Sequence, residues 1–385
     1  MNPIRVFHIA PRAWLLIAAF HILCSGEPTL QGQGCIAIRP GFCQIEPREW
    51  FKQEAHATTG INSTNLVAAD WVTSLGFSWF KSDRHFRGRH EEANRQTDNT
   101  EVINDVMSWT LGLTYVFDSQ LSATATLPFQ YATRSSLYEH DRITRHTTRS
   151  SGIQDARVTL NYWLKDPHSH PRFNIALGIG IKIPTGDDAA TDTFYTDPDG
   201  DPLTPVVPVK RPVDQSIQPG DGGWGIPLEM QAYWSISPRW SAYANGLYLL
   251  NPHETNGTPT SRRRANEAIM SVADQYFGRL GFGYDIKSRG PLTTMTLGGR
   301  VEGIHTEDAI GGSAGFRRPG YTVSIEPGII VASHKWQFAL TAPVALLRNR
   351  VQSLTDRQNS TPGNIVHGDA AFADFSVVGT IAYRF

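Results

Sequence analysis

Apolar residues recur at every second position in segment after segment of this chain, and the segments are separated alternately by short turns and long polar stretches. In the first, Trp71, Thr73, Leu75, Phe77 and Trp79 share one face. The next two carry Met107, Trp109, Leu111, Leu113, Tyr115 and Phe117, then Leu121, Ala123, Ala125, Leu127, Phe129 and Tyr131, with only Asp118-Ser119-Gln120 between them. A period of two puts an apolar row on one face of a β-strand, and three polar residues suit a hairpin turn. The pattern continues through Ala156 to Leu164, Phe173 to Ile183, Trp224 to Ile236, Trp240 to Leu250, Tyr276 to Tyr284, Leu292 to Gly303, Tyr321 to Val331 and Trp336 to Leu346. It ends on Ala371 to Phe385, where Phe375, Val377, Gly379, Ile381, Tyr383 and Phe385 alternate to the terminal aromatic. The facing of 240–250 and of 292–303 is ambiguous, because Trp240 and Tyr243 fall in opposite phases.

The long connections are 81–100, 135–154, 184–222, 251–272, 304–320 and 348–370. Brief turns at one end and long loops at the other are the asymmetry of an outer-membrane barrel, with turns in the periplasm and loops outside the cell. A soluble sandwich or propeller also alternates along its strands but predicts no such asymmetry. The expected fold is therefore all-β: a transmembrane, antiparallel, up-and-down β-barrel of about twelve strands over residues 71–385, in the bacterial outer membrane. The terminal Tyr383-x-Phe385 resembles the signal by which such barrels reach the barrel assembly machinery.

The first residues fit this setting. Arg5 and Arg12 form a positive region before an apolar run, Ala13 to Ile22, that is too short to span a bilayer, so 1–26 reads as a signal peptide cleaved near Glu27. Bulky Leu23 argues against lipid attachment at Cys24. Residues 27–70 then form a periplasmic extension, and its Cys35 and Cys43 point to a disulfide loop in an oxidising compartment rather than to a metal site. With 385 residues, 40% hydrophobic, and no run of eighteen apolar residues, the composition excludes an α-helical membrane protein. A net charge of -1 leaves no basic excess for nucleic acid.

If the aromatic and aliphatic rows face lipid, the opposite faces place Asp155, Arg157, Lys182, Glu229, Arg279, Arg300, Glu302, Glu326 and Asp374 in the lumen, with Asn161, Asn174 and Gln231. Such charges either pair across strands to hold the barrel or line a solute path. Asp197, Asp199 and Asp201 alternate around Gly200 as in an oxygen-ligand loop for calcium, but no bidentate Glu follows at EF-hand spacing, and a solvated turn is the simpler reading. Scattered histidines show no metal-binding spacing, and no cofactor is expected. An outer-membrane hydrolase would need a nucleophile and base near the lipid-facing rim. The GxSxG match Gly311-Gly312-Ser313-Ala314-Gly315 is a loop tip without the strand-to-helix setting of a nucleophile elbow, and His168-Ser169-His170 sits in a periplasmic turn, so no enzyme is expected.

At Gly178-Ile179-Gly180-Ile181-Lys182-Ile183-Pro184-Thr185-Gly186-Asp187 the chain resembles the outer-membrane family named for the meta pathway of phenol degradation, in which a strand ending in KxPTGD leads into a long external loop. The return at Gln218-Pro219-Gly220-Asp221-Gly222 is similar to that family's glycine-rich re-entry. The resemblance spans roughly 71–385 and implies passive passage of small, apolar or aromatic, compounds. Its partners would be membrane lipid, the assembly machinery and a small-molecule solute. The rival expectations are a structural or adhesive barrel with partner-binding loops and, less favoured, a hydrolase. Residues 27–70 depart from the family pattern and bring free permeation into question.

Overall fold

The structure, a computed structural model, describes residues 70–196, 205–286, 291–333 and 335–385. The expected signal peptide, nearly all of the 27–70 extension with Cys35 and Cys43, and the turn holding Asp197, Asp199 and Asp201 lie outside the described residues.

Twelve antiparallel staves form one wall: β1 (Asp70–Arg87), β2 (Ile103–Val116), β3 (Leu121–Ser136), β4 (Ala156–Trp163), β5 (Phe173–Ile183), β6 (Ile226–Ser235), β7 (Trp240–Leu250), β8 (Gln275–Ile286), β9 (Leu292–Ile304), β10 (Gly320–Ala332), β11 (Trp336–Thr341, resumed as Val344–Arg350) and β12 (Ala370–Arg384). Neighbours in sequence are neighbours in the sheet. The sheet closes because β12 pairs back onto β1, from Val72↔Arg384 to Phe86↔Ala370. Closure leaves no strand edge to meet hydrocarbon, which is the condition for a sheet to cross a membrane.

The alternation read from sequence becomes two faces. Outside, Leu111 (59% exposed), Leu177 (50%) and Leu280 (68%) stand free, as lipid-facing side chains do. Inside, Ser74, Ser78, Asn104, Ser108, Thr126, Gln130 and Arg134 are buried within the barrel. Aromatic pairs ring the short-turn end: Trp71 with Tyr115 at 4.7 Å, Trp240 with Tyr284 at 4.9 Å, Trp336 with Tyr383 at 4.6 Å and Tyr383 with Phe385 at 5.1 Å. Amphipathic rings favour the boundary between lipid and water, so this row marks one interface.

Two facings that sequence left open are resolved. Trp240 points outward and is half exposed, whereas Tyr243 points inward beneath the Arg279 guanidinium, 5.2 Å from its ring. On β9, Leu297 and Val301 face outward and Arg300 and Glu302 inward.

Several staves run past the apolar pattern. β1 continues to Arg87 although its outward positions become Lys81 and Asp83, and His146–Ile153, expected as loop, is a strand on the upper half of β3, pairing from Phe129↔Ile153 to Ser136↔His146. Above the membrane the ladder still needs its hydrogen bonds but no longer needs an apolar exterior, so periodicity ends before the strands do. β11, expected to be continuous, breaks at Ala342 and Pro343. Proline has no N–H for the ladder, and the register against β10 shifts between Val323 and Ser324.

Leu177→Arg should destabilise the barrel by about 2–4 kcal/mol, as expected for a cation placed near the membrane midplane. Gln231→Arg, inward on β6, should refold nearly as well as the parent. Urea refolding titrations followed by heat-modifiable electrophoretic mobility measure both, and equal costs would mean that the faces are wrongly assigned.

Candidate functional site

The connection between β5 and β6 has two parts. Its distal part is a hairpin, Thr191–Thr196 against Val207–Pro212, packed on the strand His146–Ile153, where the Arg149 N–H donates to Asp192 at 2.7 Å. Its proximal part, 213–220, turns into the barrel. Val213 and Ile217 are fully buried against inward-facing Phe80, Val106 and Ala132. The Ile217 carbonyl accepts from Gln130 Nε2 at 2.8 Å and from the Ser150 hydroxyl. Ser216 accepts from Arg134 at 3.0 Å and donates to Asn104 at 3.1 Å.

From this wall the segment crosses to the far side, where Gln215 Nε2 donates to the Ser271 carbonyl at 2.6 Å. Asp214 takes a two-pronged bond from Arg318 at 2.8 and 2.7 Å and lies 3.5 Å from Arg134. Burial would raise the Asp214 carboxyl, but Arg134 and Arg318 hold it well below the usual carboxylate range.

The resemblance motif pins the base of this segment. Lys182 binds the Asp221 carboxylate and lies 3.9 Å from Asp155. Asp155 in turn accepts from the Gly186 and Asp221 N–H groups, each at 3.1 Å, and the Thr185 hydroxyl donates to the Gln154 carbonyl at 2.8 Å. A Cβ at Gly220 would lie 2.3 Å from the Gly186 carbonyl oxygen. Only paired glycines allow the leaving and returning strands to touch here.

The remaining inward charges serve the wall. Glu326 receives Arg279 at 3.1 Å and Arg300 at 3.4 Å, and Arg300 also holds Glu302 at 2.8 Å. Arg157 on β4 and Glu229 on β6 face inward on either side of β5. Asp374 is the exception and corrects the sequence expectation. A register shift between Phe80 and Ser82 sets it in a bulge opposite outward-facing Lys81, half exposed and bound to Arg84 and Arg348 on the outside of the wall.

Above the segment a vestibule of about 960 Å³ opens to the outside, lined by connections following β3, β5, β7, β9 and β11. Seven arginines border it (Arg142, Arg211, Arg262, Arg263, Arg264, Arg318 and Arg350), against the acids Glu139, Asp141, Glu267, Asp356 and Asp369. A smaller cavity of about 210 Å³ adjoins it between His85, Arg134, Tyr138 and Arg318. Sequence reasoning treated these stretches as solvated loops. The signals were Val213 and Ile217 four apart in a Pro- and Asp-rich stretch, and the runs Arg262-Arg263-Arg264 and Arg317-Arg318.

Among the described residues no three His, Cys, Asp or Glu side chains are grouped as metal ligands. The Ser169 hydroxyl meets His170 Nδ1 at 2.9 Å, but Asp166 bonds His168 instead, and the turn is exposed, so no acid orients a base.

No protein-family profile and no curated protein matches the chain. Among solved structures it is similar in shape to an outer-membrane channel from Pseudomonas putida F1, at 13% identity and a TM-score of 0.48, covering 84% of this chain and all (100%) of that one. It is also similar to the beta domain of the Bordetella autotransporter BrkA, at 12% identity and 0.46, covering 82% and 100%. The CymD monoaromatic hydrocarbon channel aligns at 10% identity and 0.41, covering 92% and 97%. Channels and an autotransporter beta domain share this shape, and the likenesses do not choose between them.

Because the folded pKa of Asp214 is depressed, its contribution to docking is complete above the ordinary carboxylate value of about 3.9. It is lost only as pH falls through the lower folded value. Amides of 213–220 should therefore stay protected from hydrogen exchange from about pH 4 to about pH 8, and Asp214→Asn should release them at neutral pH while the wall stays protected. Unchanged protection in the variant would show that the two arginines do not hold the segment.

Proposed function

We propose that the protein is a bacterial outer-membrane channel through which small compounds diffuse, gated by the inward segment 213–220. The supporting observation is how the lumen is occupied. It is crossed by a loop segment held by side-chain bonds from Gln130, Arg134 and Arg318 and by the bond of its own Gln215 to the Ser271 carbonyl. A segment held by side-chain contacts and lying outside the strand ladder can leave without unzipping it.

The Lys182 to Asp187 motif and its return at Gln218 to Gly222 support membership of the family named for phenol degradation, and with it small apolar or aromatic compounds as solutes. No catalytic step belongs to this reading.

Replacing 213–218 with a Gly/Ser linker of equal length should raise single-channel conductance in planar bilayers several-fold while heat-modifiable mobility is kept. Equal conductance from parent and variant, both folded, would favour a structural or adhesive barrel whose loops serve partners.

A further inference from the structure

The vestibule carries more positive charge than its own acids can use. Glu139 is bound by Arg134 at 2.5 Å, behind the cavity wall. Asp141 is taken by His146 at 3.2 Å and by two backbone N–H groups at 2.8 Å. Asp356 holds Arg350 at 3.2 Å and the Ser353 N–H at 3.0 Å, and Asp369 holds His85 and Arg95, each at 2.8 Å. Glu267 lies 3.7 Å from Arg264.

With those acids committed, Arg142, Arg211, Arg262 and Arg263 have no carboxylate partner among the described residues. Arg262 lies over the Phe316 ring at 4.3 Å, with Arg318 over the same ring at 4.7 Å. Arg211 lies over Phe194 at 4.5 Å. Its Nε and the Nε2 of His140, which is itself 7% exposed, are buried atoms without a hydrogen-bond partner, and both residues line the cavity. Burial and the charge of Arg318 push the Arg262 guanidinium below its ordinary pKa, a sign that its charge is poorly compensated.

We propose that this vestibule binds small oxyanions, solutes bearing a carboxylate or phosphate group, through Arg142, Arg211, Arg262 and Arg263, and so selects anions ahead of the gate. Guanidinium forks match carboxylate and phosphate oxygens in pairs. A cationic bowl with low-dielectric walls also concentrates anions before they reach the segment below. The aromatic rings under Arg262 and Arg211 fix the forks and leave their edges for a ligand. Selection among solutes rests on the channel reading, but binding itself does not.

Isothermal titration of the refolded full-length barrel with benzoate, inorganic phosphate, neutral benzamide and cationic benzylamine tests the site directly. Saturable binding of benzoate or phosphate is expected, weakening as salt rises, with benzamide and benzylamine silent. The tighter of the two anions identifies the head group. The variant R142S/R262S/R263S should bind about tenfold more weakly or worse, the loss expected for charge-assisted bonds. If that variant does not fold, the discrimination between benzoate and benzamide by the parent decides alone.

Benzoate and phosphate failing to bind, or binding no better than benzamide, would overturn the proposal, as would undiminished binding by the folded variant. A barrel that binds benzoate but never conducts removes the channel and keeps the site. One that conducts without distinguishing benzoate from benzamide removes the site alone.

Discussion

Every other feature of this molecule depends on β12 pairing with β1. In hydrocarbon an unpaired backbone N–H or C=O costs several kcal/mol, so a sheet can stand there only if its last strand finds its first. The ladder from Val72↔Arg384 to Phe86↔Ala370 meets that demand. Once the sheet closes, the pleat leaves no freedom in facing. Residues alternate between lipid and lumen along every stave, so an apolar exterior forces the remaining residues inward.

Some of those inward residues are charged, and the lumen satisfies these in two ways. On the β8 to β10 side the wall answers itself, with Arg279 and Arg300 sharing Glu326. On the β1 to β5 side the answer comes partly from the loop. Asp221 meets Lys182, and Asp214 stands between Arg134 and Arg318. Buried ion pairs contribute little net stability over apolar packing, yet removing one partner is costly. A loop that supplies one member of each pair is therefore placed accurately and held reversibly. Gly186 and Gly220 set where it turns, and Phe80, Val106 and Ala132 give Val213 and Ile217 a buried apolar seat.

The membrane-embedded wall was legible because lipid imposes a period of two that the chain displays openly, as in Trp71 to Trp79 and Phe375 to Phe385. Legibility stopped where that pressure stops. Lys81 and Asp83 end the outward row of β1, though the strand runs on to Arg87. His146–Ile153 forms a strand with no apolar face to announce it. Asp374 has the right parity for the lumen, but a bulge, which depends on two strands at once, turns it outward. Trp240 and Tyr243 could not be phased from one strand, since an inward aromatic needs a partner such as Arg279 from the neighbouring stave. The segment 213–220 and the arginine vestibule are assembled from connections far apart in sequence. Their parts were visible as Val213, Ile217 and the arginine runs, but their meeting was not.

The central claim is that a docked segment, and not the wall, closes the path through the barrel. A double variant, A132C/I217C, made with Cys35 and Cys43 replaced by serine, would tie that segment to the wall it already touches. Single-channel conductance of the cross-linked barrel should be low and show few openings, and adding reductant to the same membrane should restore the parental level. Conductance that is indifferent to the cross-link, in protein shown to be both folded and cross-linked, would contradict the account.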